Sequence, residues 1–272
     1  LDMPRRDRTL YTLSPLVIGF FEYTFMRGTD KLPMKELAEL FETYHHEHGV
    51  AEEFFGADTK IFQSWAYESA IPAEVITEVL DYEKASAMIR DAGRGALSMC
   101  YCRHQAQHRG TVCNAPVEDV CTSLGPAAEW LIRRGFARPA TVDELLRVLE
   151  RTEALGLVHL GDNVRRNPAF VCHCCGCCCG APRSITEHGV QSVQPSNFLA
   201  VIDSERCNGC GLCSRRCHVK AVTASGSPAA VDATRCLGCG VCAKACPQEA
   251  ITLTRRTVIH VPPRDKTEQM LK

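Results

Sequence analysis

The sequence predicts an α+β protein with a mainly helical N-terminal region, a cysteine-rich module in the middle and a C-terminal domain built from a repeat. Three observations predict this organisation. Apolar residues recur at helical spacing through the first third of the chain. The 18 cysteines among 272 residues fall into groups of four, six and eight. The last group consists of two copies of one pattern, offset by 29 residues from Cys207 to Cys236.

We divide the chain into five ranges on this basis. They are a helical scaffold or docking region at 1–95, a cysteine-rich helical module at 96–180, a linker at 181–198, the repeat domain at 199–258 and an extended tail at 259–272. A net charge of −1, from 31 basic and 32 acidic residues, argues against a nucleic-acid partner. Clustered cysteines predict metal ligands in a reducing compartment, so we expect a cytoplasmic protein without a transmembrane segment.

The first range contains no cysteine, and its pattern predicts helices with one strand. Ser14-Pro15 is a helix start and Gly28 a stop, with apolar residues around most of the circumference between them. A second helix is expected from Pro33 to Gly49, ending in three histidines (His45, His46 and His48) that predict either a metal site or a solvated helix end. Residues 61–67 predict a strand, and two helical stretches are expected from Pro72 to Arg90.

The first cysteine group comprises Cys100, Cys102, Cys113 and Cys121, with the spacing C-x-C-x10-C-x7-C. Four thiols are enough for one four-coordinate site. Four nearby basic side chains would stabilise thiolates there: Arg103, His104, His108 and Arg109. The spacing leaves open an additional [4Fe–4S] cluster, a zinc ion or unliganded thiols.

Two scaffold helices follow this group. One is expected from Pro126 to Arg134, with Gly135 as its stop. The other begins at Thr141, which forms a capping box with Glu144, and ends at Gly156. Residues 157–160 predict a short strand or turn, in which we expect His159 to be packed rather than to bind a metal.

The second cysteine group has six thiols within eight residues: Cys172, Cys174, Cys175, Cys177, Cys178 and Cys179. Neighbouring side chains diverge along an extended chain, so all six cannot bind one cubane. Three or four could hold a cluster. The others could bind an unusual non-cubane cluster, form a redox-active pair or be buried. Ligands could also be exchanged with the group at Cys100–Cys121.

Each copy of the C-terminal repeat has the spacing C-x2-C-x2-C-x3-C, in which three thiolates bind one [4Fe–4S] cube and the fourth reaches the other. The first set is therefore Cys207, Cys210, Cys213 and Cys246, and the second is Cys217, Cys236, Cys239 and Cys242. Zinc sites use pairs of cysteines rather than triplets, which disfavours zinc here. His218 stands where the second copy has Pro247, and it predicts either a tuning residue or a surface turn.

Residues 199–254 resemble a two-cluster bacterial ferredoxin domain. Further motifs precede it: Phe21-Glu-Tyr, Cys-Tyr-Cys-Arg-His at Cys100, Gly-Leu-Val-His at Gly156 and Cys-His-Cys-Cys-Gly-Cys-Cys-Cys-Gly at Cys172. Their order resembles a family of anaerobe-type proteins described as 4Fe–4S ferredoxin-like or dicluster-binding proteins, over nearly the whole chain. The resemblance implies iron–sulfur redox work without an agreed substrate.

We therefore expect an electron-transfer protein that relays electrons through three or four iron–sulfur clusters, as a subunit or partner of an oxidoreductase such as a flavoprotein. The chain has no Gly-rich nucleotide loop, nucleophile elbow or zinc-hydrolase motif, and we assign no catalytic residue. One alternative is a reductase or an activator of another metalloenzyme, with its active cluster at Cys172–Cys179. Another is an iron–sulfur redox sensor. A homo-oligomer is compatible with each.

Overall fold

The structure is a computed structural model that describes residues 2–4, 9–11, 21–29, 31–47, 49–224 and 228–271. A seven-stranded sheet with the order β6-β4-β5-β8-β7-β3-β9 forms its centre. The strands are β3 Phe62–Trp65, β4 Gly95–Ser98, β5 Cys121–Leu124, β6 Arg138–Ala140, β7 Val158–Asp162, β8 Phe170–Cys174 and β9 Val193–Gln194. Neighbouring strands are antiparallel, except that the short β9 lies parallel to β3. A separate hairpin pairs β1 Asp2–Pro4 with β2 Thr9–Tyr11.

Helices flank both faces of this sheet. In chain order they are α1 Phe21–Thr24, α2 Met34–Glu47, α3 Val50–Phe55, α4 Ala85–Ala92, α5 Tyr101–His108, α6 Gly125–Arg133, α7 Val142–Ala154 and α8 Gly180–Arg183. Helices α4 and α7 cover one face, where Ile89 and Leu145 pack with Trp65, Leu124 and Val171 of the strands. The opposite face carries the thiols of Cys121, Cys172 and Cys174, because side chains alternate between the faces along each strand.

The C-terminal repeat forms a small domain packed against the thiol-bearing face. Its elements are β10 Phe198–Ile202, α9 Leu212–Arg216, β11 Val222–Thr223, β12 Ala230–Val231, α10 Val241–Lys244 and β13 Ile251–Arg255. Strand β10 pairs with β13 and β11 pairs with β12, so each copy of the repeat pairs with the other. Helix α11 Lys266–Leu271 follows the repeat domain.

Several local predictions are confirmed. Helix α2 begins just after Pro33, and strand β3 lies within 61–67. The capping box is present, since the Glu144 amide donates to the Thr141 hydroxyl and the Glu144 carboxylate accepts from the Thr141 amide. His159 is packed, with its ring beside the Thr152 hydroxyl at 3.2 Å. The predicted helix start at Ser14-Pro15 lies outside the described residues.

Other expectations are corrected. After Pro72 the chain forms two short 3-10 turns, Ile76–Glu78 and Asp81–Glu83, before α4. The tail is not wholly extended, because α11 is helical and its buried Gln269 amide donates to the carbonyl of Lys60 at 3.1 Å. The expected linker includes α8, a π-helical turn at Ser184–His188 and β9.

The central sheet also crosses two of the domain boundaries drawn from sequence. It takes β3 from 1–95, β4 to β8 from 96–180 and β9 from 181–198, so the middle range is not a purely helical module. No helix in the described part of the chain is long and apolar enough to span a membrane.

Candidate metal centres

Strand register brings the first group of thiols together. On β8, Cys172 and Cys174 point to the face opposite α7, while His173 between them contacts Thr152 of α7 at 2.9 Å. Strand β5 pairs with β8 through Thr122 and Val171, which places Cys121 beside Cys172. Two residues far apart in sequence thus become neighbours through one antiparallel pairing.

Eight cysteines line one cavity, and six of them follow one another as neighbours; this part is called here the six-thiol cavity: Cys100, Cys102, Cys121, Cys172, Cys174 and Cys179. The other two, Cys175 and Cys178, lie at its edge and belong to a second group described below. The thiols are neighbours in the order Cys100, Cys102, Cys179, Cys174, Cys172 and Cys121. They come from the starts of α5 and β5, from β8 and from the residue before α8. Four different elements therefore contribute thiols to one cavity.

The six-thiol cavity has a volume of about 130 Å³ and a largely aromatic opposite wall. Phe21, Phe41 and Phe55 line it, together with the buried Glu22. At Cys100 the hydrogen bond that its thiol donates to the neighbouring Cys102, and then burial, raise the pKa well above its usual value. A bound cation would reverse this effect, because metal binding displaces thiol protons.

Four other cysteines form a second, tighter group, called here the four-thiol site: Cys113, Cys175, Cys177 and Cys178. All four sulfur atoms lie within 4.8 Å of one another. The Sγ–Sγ distances are 3.7 Å from Cys113 to Cys175, 3.9 Å from Cys113 to Cys178 and 3.6 Å from Cys177 to Cys178. Such an arrangement can hold one metal ion.

The ten upstream cysteines are therefore not divided as their order along the chain suggests. Cys113 was expected with Cys100, Cys102 and Cys121, but it lies with three cysteines of the second group. The loop after α5 accounts for this, because Val112 and Ala115 pack with Ala106 and Leu157 in a small apolar cluster that includes Cys175 and Cys178. One thiol of the first group thus lies among thiols of the second.

Arg103 lies between the two thiol groups. Its side chain is 1% exposed, and it donates to the carbonyls of Pro116 at 3.0 Å and His173 at 2.6 Å. The guanidinium also lies beside the thiol of Cys175. A hydrogen bond from Cys178 and this positive charge lower the pKa of Cys175, although burial opposes them. Arg109 was also expected near the thiols, but it pairs instead with the Glu42 carboxylate at 2.9 Å.

The C-terminal cysteines fall into two sets. Cys207, Cys210, Cys213 and Cys246 line one cavity. Cys217 lies in the electrostatic surroundings of Cys239 and Cys242, together with Cys236. These are the sets that the spacing predicts.

Matching hydrogen bonds accompany the two sets. The amide of Ala221 donates to the Cys217 sulfur at 3.2 Å, and the amide of Ala250 donates to the Cys246 sulfur at 3.4 Å. These two bonds occupy equivalent positions in the repeat. Such N–H···S bonds stabilise thiolate ligands and tune the potential of a cluster that they hold.

The two sets differ in their surroundings. Cys210 of the first set is exposed, whereas its repeat equivalent Cys239 lies against the central sheet. The amide of Tyr67 donates to the Cys239 carbonyl at 2.9 Å, and the Tyr67 hydroxyl donates to the Leu157 carbonyl at 2.6 Å. One set is thus accessible from solvent, and the other faces the interior.

His218 connects the repeat domain to the turn that carries the four-thiol site. The amide of Gly176 donates to its Nδ1 at 3.0 Å, and its Nε2 donates to the Gly156 carbonyl at 2.7 Å. A β-carbon on Gly176 would lie 2.3 Å from the His218 carbonyl oxygen, so only glycine fits this contact. His218 therefore lies in a half-buried turn, held by both of its ring nitrogens.

The histidines at the end of α2 form a cluster that the sequence did not foresee in full. His45 and His46 lie with His188, their ring nitrogens within 4.8 Å of one another, while His48 is outside the described residues. Burial, then the nearby Arg183, lower the pKa of His45 to about 4, so this ring is neutral at pH 7. Arg183 also lies 2.6 Å from Nε2 of His46, and its positive charge disfavours a metal ion there.

Among known protein families, one matches the second copy of the repeat. Residues 229–252 match a family described as "4Fe-4S binding domain". The match indicates iron–sulfur binding in this segment. The matched segment contains Cys236, Cys239, Cys242 and Cys246. A search of curated proteins finds no match to this chain.

The residues of the C-terminal domain fit [4Fe–4S] clusters. The paired sets of four thiols, the amide donors at Cys217 and Cys246 and the left-handed glycines that bring the backbone close to the thiols are all in place. Gly238 (φ 64°) illustrates the last point, since a β-carbon there would lie 2.1 Å from the Phe198 carbonyl oxygen.

Proposed function

We propose that the protein transfers electrons through two [4Fe–4S] clusters in the C-terminal domain and a further iron–sulfur cluster in the six-thiol cavity. The first cluster would be held by Cys207, Cys210, Cys213 and Cys246, and the second by Cys217, Cys236, Cys239 and Cys242. A [4Fe–4S] cluster supplies reversible one-electron storage when bound. The protein would act as a subunit or partner of an oxidoreductase.

The observation that carries this proposal is the difference in exposure between the two repeat copies. An exposed thiol at Cys210 suits exchange with a redox partner, and a set packed against the sheet suits transfer inward. Tyr67 bonds Cys239 at one end and Leu157 at the other. The next residue, Val158, pairs with Cys174 of the six-thiol cavity in the β7–β8 ladder. Continuous protein contacts therefore join the inner set to that cavity.

Iron counting and electron paramagnetic resonance (EPR) spectroscopy on anaerobically purified protein test this function. Two cubanes account for about 8 iron atoms, and a third cluster raises the total above that number. Cys172→Ser should lower the iron content while leaving the signals of the C-terminal pair in place. A wild-type total of about 8 iron atoms, unchanged in Cys172→Ser, would contradict the third cluster. Absence of iron–sulfur signals would contradict the whole function.

A second candidate is a reductase or activator whose reaction takes place in the six-thiol cavity. Two observations favour it: six thiols exceed the four that one cubane needs, and the aromatic wall leaves a volume of about 130 Å³ beside them. Cyanide or carbon monoxide added to reduced protein would then change the EPR spectrum of the cavity cluster. An unchanged spectrum supports a carrier without an open iron position.

A further inference from the structure

We propose that the four-thiol site binds one zinc ion as a structural centre, separate from every iron–sulfur cluster of the protein. Its ligands are Cys113 from the loop after α5 and Cys175, Cys177 and Cys178 from the turn after β8. This inference goes beyond the proposed electron transfer and does not depend on it.

The distances between the sulfur atoms carry the argument. Zinc–sulfur bonds of about 2.3 Å in a tetrahedron place the sulfurs about 3.8 Å apart. The three measured separations are 3.6, 3.7 and 3.9 Å. Thiolates of a cubane stand farther apart, because each binds a different iron at its own corner. Among the described residues, no three thiols of the C-terminal sets come within 4.8 Å of one another.

The charge balance of the site also fits a divalent ion. Four thiolates and Zn²⁺ carry a net charge of −2, which is costly to bury without a nearby cation. Arg103 supplies that cation, since its buried guanidinium lies beside Cys175 and is held by the carbonyls of Pro116 and His173. Partners of this kind around a metal's ligands hold their orientation and charge.

Ligand type favours zinc over a single iron ion. A tetrahedral set of four sulfurs suits both metals, but Zn²⁺ binds a given site more tightly than Fe²⁺ does. Four protein ligands also leave no open position, which is the pattern of structural zinc sites. The ion would fix the turn at Gly176 that receives His218, and thereby the docking of the repeat domain onto the sheet.

Elemental analysis and zinc-edge X-ray absorption on the intact anaerobic protein test the proposal. We expect about one zinc per chain, surrounded by four sulfur atoms at about 2.3 Å. The zinc edge is measured independently of whatever iron the protein contains, and sulfur neighbours distinguish this site from the histidine cluster. Protein without zinc, or zinc bound mainly by nitrogen and oxygen, would overturn the proposal without affecting the iron count.

Two exposed thiols provide matched variants. Cys177→Ser should lose most of the zinc, or replace one sulfur neighbour by oxygen, and keep the wild-type iron content and EPR signals. Cys210→Ser, at the other exposed cysteine, should lower the iron content and keep the zinc. Loss of iron with retained zinc in Cys177→Ser would assign this group to an iron–sulfur cluster and refute the proposal. If one variant folds poorly, the zinc-edge spectrum of the wild-type protein still tests the proposal.

Discussion

At the scale of single residues, His218 links the repeat domain to the rest of the molecule. Both nitrogens of its ring bond backbone groups outside the repeat domain, at Gly156 and Gly176. Its repeat equivalent, Pro247, is exposed and has no such surroundings. One copy of the repeat thus carries a docking residue where the other faces solvent, although the local folds of the two copies match.

We expect His218→Ala to destabilise the protein by about 1–3 kcal/mol, because two partly buried backbone groups lose their hydrogen-bond partner. Pro247→Ala is the matched control and should change the free energy of unfolding by less than about 1 kcal/mol. Denaturant unfolding followed by circular dichroism measures both. Equal effects would mean that the bonds of His218 add nothing to stability.

At the scale of elements, the glycines before α9 and α10 share a backbone conformation but differ in what surrounds them. Comparing them separates the cost of backbone strain from the cost of disturbing the contact between the repeat domain and the segment after β3. Gly211 (φ 72°) and Gly240 (φ 85°) occupy equivalent positions in the repeat. A β-carbon on Gly240 would lie 3.1 Å from the β-carbon of Ala70 and 3.3 Å from that of Tyr67. On Gly211 its nearest neighbour would be the flexible end of Arg215, at 3.2 Å.

Alanine at either glycine costs about 1–2 kcal/mol for the left-handed backbone. Gly240→Ala should cost about 1–3 kcal/mol more, since it also presses two elements apart. The difference between the denaturation midpoints of the two variants measures the destabilisation that comes from the contact with Ala70 and Tyr67. Identical midpoints for the two variants would show that Tyr67 and Ala70 move aside without a measurable cost in stability.

At the scale of the whole molecule, one buried ion pair ties the repeat domain to the segment before α4. Glu83, whose side chain is 6% exposed, accepts from Arg255 at 2.6 and 3.1 Å and from Asn197 at 2.7 Å. Burial raises the pKa of Glu83, but hydrogen bonds from Arg255, Leu80 and Asn197 outweigh it and hold the pKa below its usual value. The carboxylate is therefore charged and shared between the two halves of the molecule.

We expect Glu83→Ala to cost about 2–4 kcal/mol, because it leaves the partly buried Arg255 unpaired. Wild-type protein should lose its visible cluster absorption and its sheet signal in one thermal transition, whereas the variant should lose the absorption first. Glu249→Ala removes the exposed pair with Arg206 and serves as the control, expected to cost at most about 1 kcal/mol. A single transition in both variants would argue against Glu83 as a coupling residue.

The sequence by itself determined the local features. The spacing of the eight C-terminal cysteines predicts both sets, because all eight positions are fixed by tight loops and a repeat. Thr141 and Glu144 likewise predict the start of α7, since a capping box involves residues only three apart. Each of these features depends on contacts within a short stretch of chain or between two copies of one pattern.

Only the tertiary structure decided how the upstream cysteines are divided. Cys121 meets Cys172 through the pairing of β5 with β8, and Cys113 meets Cys175 through the packing of a loop. The same holds for His188, which joins His45 from a distant turn, and for the exposure that distinguishes Cys210 from Cys239. Strand register and packing between distant segments set these neighbours, and spacing along the chain does not encode either one.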